Sequence, residues 1–205
     1  MKNNTIITIS RQYGSGGRLI GQKLAERLGI PFYDKELITL AAEESGFAEH
    51  LFEKNDRNIT NSLLYSLSMY GNTMGLYDMP LNDKLFIAQS KTIQSVAEKG
   101  PCVIVGRCAD YVLRDDPNVA LVNLFVHAPM DARIRRESAR TNTTPAEAEK
   151  RIRQVDKERA AYYNFFSSKR WGDAQAYDLC VNTDGLEISD VVQLVLRYLE
   201  LRGLR

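Results

Sequence analysis

IITISRQYGSGGRLIG, residues 6–21, joins an apolar β-branched run to a glycine-rich turn and then to a helical pattern. The run stops at Ser10 and opens onto Gly14, Ser15, Gly16 and Gly17. Glycines let successive backbone N–H groups turn to one side. A helix N-terminus adds about half a positive charge, so such a turn can hold an anion. The usual phosphate-binding pattern, G-x-x-x-x-G-K-[ST], places a lysine on the outer phosphates and a hydroxyl on Mg²⁺. With the strand end at Ser10, Arg11 stands where the first glycine belongs and Gly16 matches the second. Gly17 and Arg18 replace the Lys-Ser/Thr pair. The segment reads as a degenerate P-loop over Ser10 to Arg18, and the bland alternative is a tight turn.

The next residues favour the anion site. Leu19, Ile20, Leu24, Ala25 and Leu28 recur at helical spacing, so Arg18 to Leu28 reads as a helix. Gly29-Ile30-Pro31 ends it as a glycine followed by proline should. Arg18, one place beyond the lysine position, would supply the missing charge, because guanidinium binds phosphate bidentately.

Further along the chain, Ile30 to Tyr33, Cys102 to Val105, Val119 to Val126 and Leu179 to Asn182 read as strands. Continuous apolar runs mark strands covered on both faces, hence a parallel sheet. With helical patterns between them, the expected fold is a three-layer α/β domain in one unit. Residues 34 to about 99 are too long for one crossover and read as an insert. It comprises a helix from Asp34 to Glu44 with Asp34 as N-cap, a Met/Tyr-rich stretch at 64–80, and a helix from Asn82 to Glu98. The Met/Tyr-rich stretch reads as a lid, a homodimer contact, or a loop with packing aromatics.

Net charge is only +1, which argues against a general nucleic-acid binder. Charge is concentrated between 131 and 170, with eleven Lys and Arg against six Asp and Glu, most of the cations being arginine. Pro129 to Arg140 reads as a helix with Arg133, Arg136 and Arg140 in one stripe. Thr144-Pro145-Ala146-Glu147 is a capping box opening a second helix to about Phe166. Arg153, Asp156 and Arg159 share a side of that helix by spacing. The pair reads as a flap closing over phosphates at about 140–150, or as a solvated hairpin. Gly106-Arg107 falls at the carboxyl end of the third strand, where ligands of open sheets bind.

No run is long and apolar enough to cross a membrane, and no signal peptide is legible, so a cytoplasmic setting is expected. Cys102, Cys108 and Cys180 have no metal-ligand spacing, and an odd count suits a reducing compartment. His50 and His127 are too few for a His-based metal site, and His127 reads as structural.

The segments ITIS-R-x-YGSGGR, FYDKELI, VIVGRCADYVL, DKERAAYY and WGD…YDL-x-x-NT resemble, in that order, the cytidylate kinase-like proteins. These are a divergent branch of the P-loop nucleoside monophosphate kinases, and the resemblance spans Ile6 to Val195. It implies a five-stranded parallel sheet with a nucleoside monophosphate-binding insert and a lid, and transfer of the ATP γ-phosphate to CMP or dCMP with Mg²⁺. By position it implies that Ser10, Arg11, Gly14, Ser15, Gly16, Gly17 and Arg18 hold donor phosphates. Asp34, Arg107, Asp156 and Arg159 would face the acceptor. Arg18, Arg136 and Arg140 are the expected catalytic cations; the Mg²⁺ ligands are left unassigned. Cytidylate kinases proper carry G-K-[GS]-T in the loop, D-S-G-A-x-Y-R after strand two and G-R-D after strand three. Here those places hold Gly17-Arg18-Leu19, Asp34-Lys35-Glu36-Leu37-Ile38-Thr39-Leu40 and Gly106-Arg107-Cys108. These departures keep two other readings open: a non-catalytic nucleotide sensor, and a kinase of a different small acceptor.

Overall fold

The computed structural model describes residues 4–52 and 80–205. The Met/Tyr-rich stretch at 64–79, with its lid and dimer readings, lies outside the described residues. Five strands form one sheet: β1 (Thr5–Arg11), β2 (Phe32–Tyr33), β3 (Cys102–Val105), β4 (Ala120–His127) and β5 (Leu179–Asn182). The order is β2-β3-β1-β4-β5, and every pairing is parallel. The helices are α1 (Gly17–Leu28), α2 (Glu36–Ser45), α3 (Leu81–Glu98), α4 (Ala109–Val112), α5 (Met130–Thr141), α6 (Pro145–Ser167) and α7 (Ile188–Leu201).

The β1 side chains show why the run is continuous rather than alternating. Ile7 and Ile9 join Ile20, Leu24 and α7's Val191, Val195 and Leu199 on one face. Ile6 points to the other, with Leu37 of α2, Ile93 and Val96 of α3, and Ile104. Both faces are dry, so a polar residue in the strand needs a partner: buried Thr8 donates to Asn123 Oδ1 at 2.7 Å.

Strand β1 runs one residue past the expected Ser10, because β4 continues the ladder and pairs Val126 with Arg11. Only Phe32 and Tyr33 pair in β2, although the Pro31 carbonyl still accepts from Val103 N–H at 2.9 Å. Helix α1 has Gly16 as N-cap, at φ +85°, and Gly29 as C-cap, at φ +65°. Asp34 is not the N-cap of α2. Lys35 takes that place, and the Asp34 carboxylate turns to two arginines instead. Likewise Pro80, rather than Asn82 or Asp83, caps α3. The Thr144–Glu147 capping box of α6 forms, with Pro145 in the first turn. Cys102, Cys108 and Cys180 are all free thiols. Among the described residues no helix is long and apolar enough to cross a membrane.

Because β3 and β4 flank β1 on opposite sides, the chain reverses direction across the sheet at β1. Open α/β sheets bind ligands outside the strand carboxyl ends at such a switch point. The turn after β1 and the turn after β3 both open there.

Candidate active site

The turn after β1 is compact, and its glycines are required by what packs on them. A Cβ on Gly14, at φ +78°, would lie 3.1 Å from the Arg133 carbonyl oxygen; one on Gly16 would lie 2.8 Å from Ile188 Cδ1. Ser15 is fully buried, and its hydroxyl and amide both donate to the Gln12 carbonyl, at 2.8 and 3.3 Å. No side chain caps α1 at Gly16. First-turn amides have no acceptor within their own helix, so this N-terminus keeps donors for an anion.

A further amide of the turn is also taken. Tyr13 N–H donates to Asp156 Oδ1 at 2.7 Å, while Asp156 Oδ2 accepts from Arg133 Nη1 at 2.5 Å. Arg133 Nη1 also reaches the Tyr13 carbonyl at 3.3 Å. Arg133 is buried, its side chain 6% exposed against 17% for Asp156. A buried guanidinium needs a carboxylate beside it, so α5 and α6 are tied to the turn after β1 through this pair. Asp156, which the family resemblance places toward the acceptor, contacts the turn after β1.

Tyr13 is enclosed by cations. Its hydroxyl donates to Glu137 Oε1 at 2.8 Å and accepts from Arg140 Nη2 at 3.0 Å. The Arg159 and Arg151 guanidinium carbons stand 5.5 and 5.7 Å from its ring centre. Burial, then the Glu137 hydrogen bond, push the Tyr13 phenol above its ordinary pKa. Arg140 forms an ion pair with buried Glu137 at 2.8 Å. Arg136 donates to Thr183 Oγ1 and to its carbonyl, at 2.8 and 2.6 Å, and Thr183 Oγ1 in turn donates to the Ser15 carbonyl at 2.9 Å. Both arginines thus brace the turn from behind.

A second cluster gathers on Asp34, a buried carboxylate just beyond β2. Arg18 Nε donates to Oδ2 at 2.7 Å, and Arg11 Nη2 stands 3.7 Å from Oδ1. Arg159 Nη1 donates to the Arg11 carbonyl at 2.9 Å. Burial lowers the Arg159 pKa below its ordinary value, Asp156 and Asp34 work against that, and the Arg107 charge adds to it. Asp34, Arg11, Arg18, Arg107, Asp156 and Arg159 are therefore neighbours. Arg153, read onto the same helical side, instead pairs with Glu149 on the exposed surface at 2.6 Å.

After β3, Gly106, Arg107 and Cys108 all adopt positive φ, +80°, +63° and +53°. For the two non-glycine residues this costs about 1–3 kcal/mol each, a strain that collects at functional sites. Ser10 is buried where β1 ends. Next to it Tyr163 Oη donates to Asp110 Oδ2 at 2.6 Å, and burial raises the pKa of Asp110 and pushes that of Tyr177 up to about 12. From the insert, α3 contributes buried Gln89, whose amide donates to Tyr162 Oη at 2.9 Å and to the Arg107 carbonyl at 3.5 Å. Phe86 stacks on Phe166 at 4.0 Å beside it.

The sequence reading gave no role to Tyr13, Glu137, Gln89 or Thr183, and it held Arg133 only as part of the basic stripe. Arg133 and Glu137 stand four apart on α5 and were visible as a pair, but their burial was not. Asn182-Thr183 closes the last quoted segment without a role attached to it. Among the described residues no group of three or more His, Cys, Asp or Glu could hold a metal ion. At the place of the loop hydroxyl stands Arg18, which has no lone pair to offer Mg²⁺. Among the described residues, Arg18 at that place leaves the loop without the hydroxyl that usually meets Mg²⁺.

Comparison with known proteins agrees with this architecture. The chain is 26% identical over 200 residues to a cytidylate kinase of Methanobrevibacter smithii, covering 95% of this chain and 98% of the relative. A crystal structure of an uncharacterized protein from Eubacterium ventriosum superposes with a TM-score of 0.71 at 28% identity, covering 96% and 98% of the two chains. Shikimate kinase from Bacteroides thetaiotaomicron shares the fold, with a TM-score of 0.53 at 19% identity and coverage of 96% and 98%. The family model of the cytidylate kinase-like family matches residues 6–185. With its parallel sheet, its switch-point turn and its ring of arginines, the chain belongs to the cytidylate kinase-like family, phosphotransferases built on the P-loop kinase fold.

Proposed function

We propose that this protein transfers the terminal phosphoryl group of ATP to CMP or dCMP. The observation that carries the reading is the pairing, across one crevice, of an uncapped helix N-terminus with Asp34 and its two arginines. Phosphoryl transfer asks for positioning and charge neutralisation more than for covalent chemistry. The amides of Gly14, Gly16, Gly17 and Arg18 would hold the donor phosphates, with Ser10 and Ser15 fixing the turn. Mg²⁺ would enter with the nucleotide as part of the substrate, held by phosphate oxygens and water.

On the acceptor side, Arg107 and Arg159 would neutralise the monophosphate, and Asp34 would orient the acceptor's polar groups while keeping Arg11 and Arg18 in place. Arg136 and Arg140 would act one step back, holding the β1 turn through Thr183, Glu137 and Tyr13 so that α5 and α6 close over the reacting groups. Residues 34–99 would serve as the acceptor-binding insert and 140–150 as the lid. Water exclusion by that closure would limit hydrolysis of ATP.

The test is an acceptor panel. Purified protein with ATP and Mg²⁺ is offered CMP, dCMP, UMP, AMP and GMP, together with small hydroxyl acceptors, and nucleoside diphosphate is measured directly. Diphosphate from CMP or dCMP ahead of the others is expected. Transfer only to a hydroxyl acceptor moves the protein to the small-molecule kinase reading. A second reading rests on one contact: Asp156 already takes the Tyr13 amide, which suits a protein that binds nucleotide without turning it over. Tight ATP binding with no transfer to any acceptor would establish that sensor role.

A further inference from the structure

In the usual loop the first position is a glycine with no side chain and the seventh is a lysine. This chain inverts that arrangement, with Arg11 first and Gly17 seventh. We propose that the phosphate-binding cation has been transposed, from the helix position at Gly17 to the strand-end position at Arg11. The inference rests on the reading that the turn holds ATP phosphates, and it names which side chain carries the charge there.

Two observations carry it. The two positions compete for one volume: a Cβ on Gly17 would lie 2.5 Å from Arg11 Cβ, 3.1 Å from Arg11 Cγ and 3.2 Å from Val126 Cβ. Arg11 Cβ cannot rotate away, because Arg11 is held in the β1–β4 ladder opposite Val126. A lysine at 17 and an arginine at 11 are therefore mutually exclusive, and the loop can carry one or the other.

The second observation is where the Arg11 side chain ends. Its Nη1 lies over Gly106, where any Cβ would collide with it, and its Nη2 is 3.7 Å from Asp34. That places the guanidinium between the carboxyl ends of β1 and β3, inside the crevice, with only 18% of the side chain exposed. Arg18 is 56% exposed, with its guanidinium carbon 5.8 Å from the Phe32 ring centre, and meets Asp34 from the outer side. The inner cation is Arg11. Gly106 is glycine for the same reason: at φ +80° and under a guanidinium, no side chain fits without displacing it.

The test uses the whole chain and two readouts: ATP affinity by calorimetry, and phosphoryl transfer to whichever acceptor the panel identifies. Arg11→Met keeps the stem and removes the charge; it should weaken ATP at least about tenfold, the scale of one charge-assisted contact. Arg11→Lys should recover part of that. Gly17→Lys alone should also weaken ATP, because its stem meets Arg11. The double exchange Arg11→Gly with Gly17→Lys should restore binding to within about threefold of the wild type. Circular dichroism and thermal melting identify any variant that has not folded, and Arg11→Met, which preserves the packing, then carries the comparison. Wild-type affinity in folded Arg11→Met, or a folded double exchange no better than either single, overturns the transposition while leaving the kinase reading intact. No ATP binding by the wild type overturns both.

Discussion

The two sides of the crevice are built by different means. On the side proposed to hold the donor, backbone geometry does much of the work, with Gly14 and Gly16 at positive φ and an uncapped helix start, and α5 and α6 are drawn onto the turn through Arg133 and Asp156. On the side proposed to hold the acceptor, long-range side-chain packing takes over. Gln89 from the insert bridges Tyr162 and the Arg107 carbonyl, and Phe86 lies flat on Phe166. Geometry on that second side depends on how α3 sits against α6.

Breaking the donor side should have the largest effect. Asp156→Ala leaves the Arg133 guanidinium buried without its carboxylate, which costs about 3–5 kcal/mol. It also releases the Tyr13 amide. Urea denaturation should show the loss, and Asp156→Asn, which keeps an acceptor for that amide, should lose less. Equal stability of Asp156→Ala and wild type would contradict the clamp.

Gln89→Leu probes the other side. It leaves the Tyr162 hydroxyl without its donor in a buried site, at a cost of about 1–3 kcal/mol. The acceptor KM should rise severalfold while ATP affinity holds. If ATP affinity falls in step with acceptor KM, the two sides are not separable.

The smallest effect expected is a pH dependence. Burial holds the folded-state pKa of Asp110 above its unfolded value, against the Tyr163 hydrogen bond that lowers it. The folded protein then binds this proton more tightly, and stability declines as pH rises from the unfolded value through the folded one. Asp110→Asn removes that decline, so its melting temperature should gain on the wild type as pH rises from about 4 toward neutrality. A difference between the two proteins that does not vary with pH would show that Asp110 does not titrate in this window.

Much of the donor side was legible because its signals are local. A β-branched run, three glycines and a helical period sit within twenty residues, and each follows from backbone sterics alone. The Thr144–Glu147 capping box formed for the same reason. Asp34 failed as a local reading: an aspartate two places before a helix resembles a cap, but here two distant arginines outcompete the helix amides for its carboxylate. The basic stripe was only half legible. Helical spacing puts Arg133, Arg136 and Arg140 on one side, yet one ends buried against Asp156, one on Thr183 and one on Glu137.

What the sequence determined by itself was the parallel sheet, the glycine turn after its first strand and the family, because apolar periodicity, glycine and proline act through neighbours along the chain. Tertiary structure alone decided which arginine points inward, why position 17 cannot carry a lysine and how Asp156 reaches the turn. Those outcomes depend on which atoms compete for the same space and charge once the chain is folded, and spacing along a helix constrains only direction about its own axis.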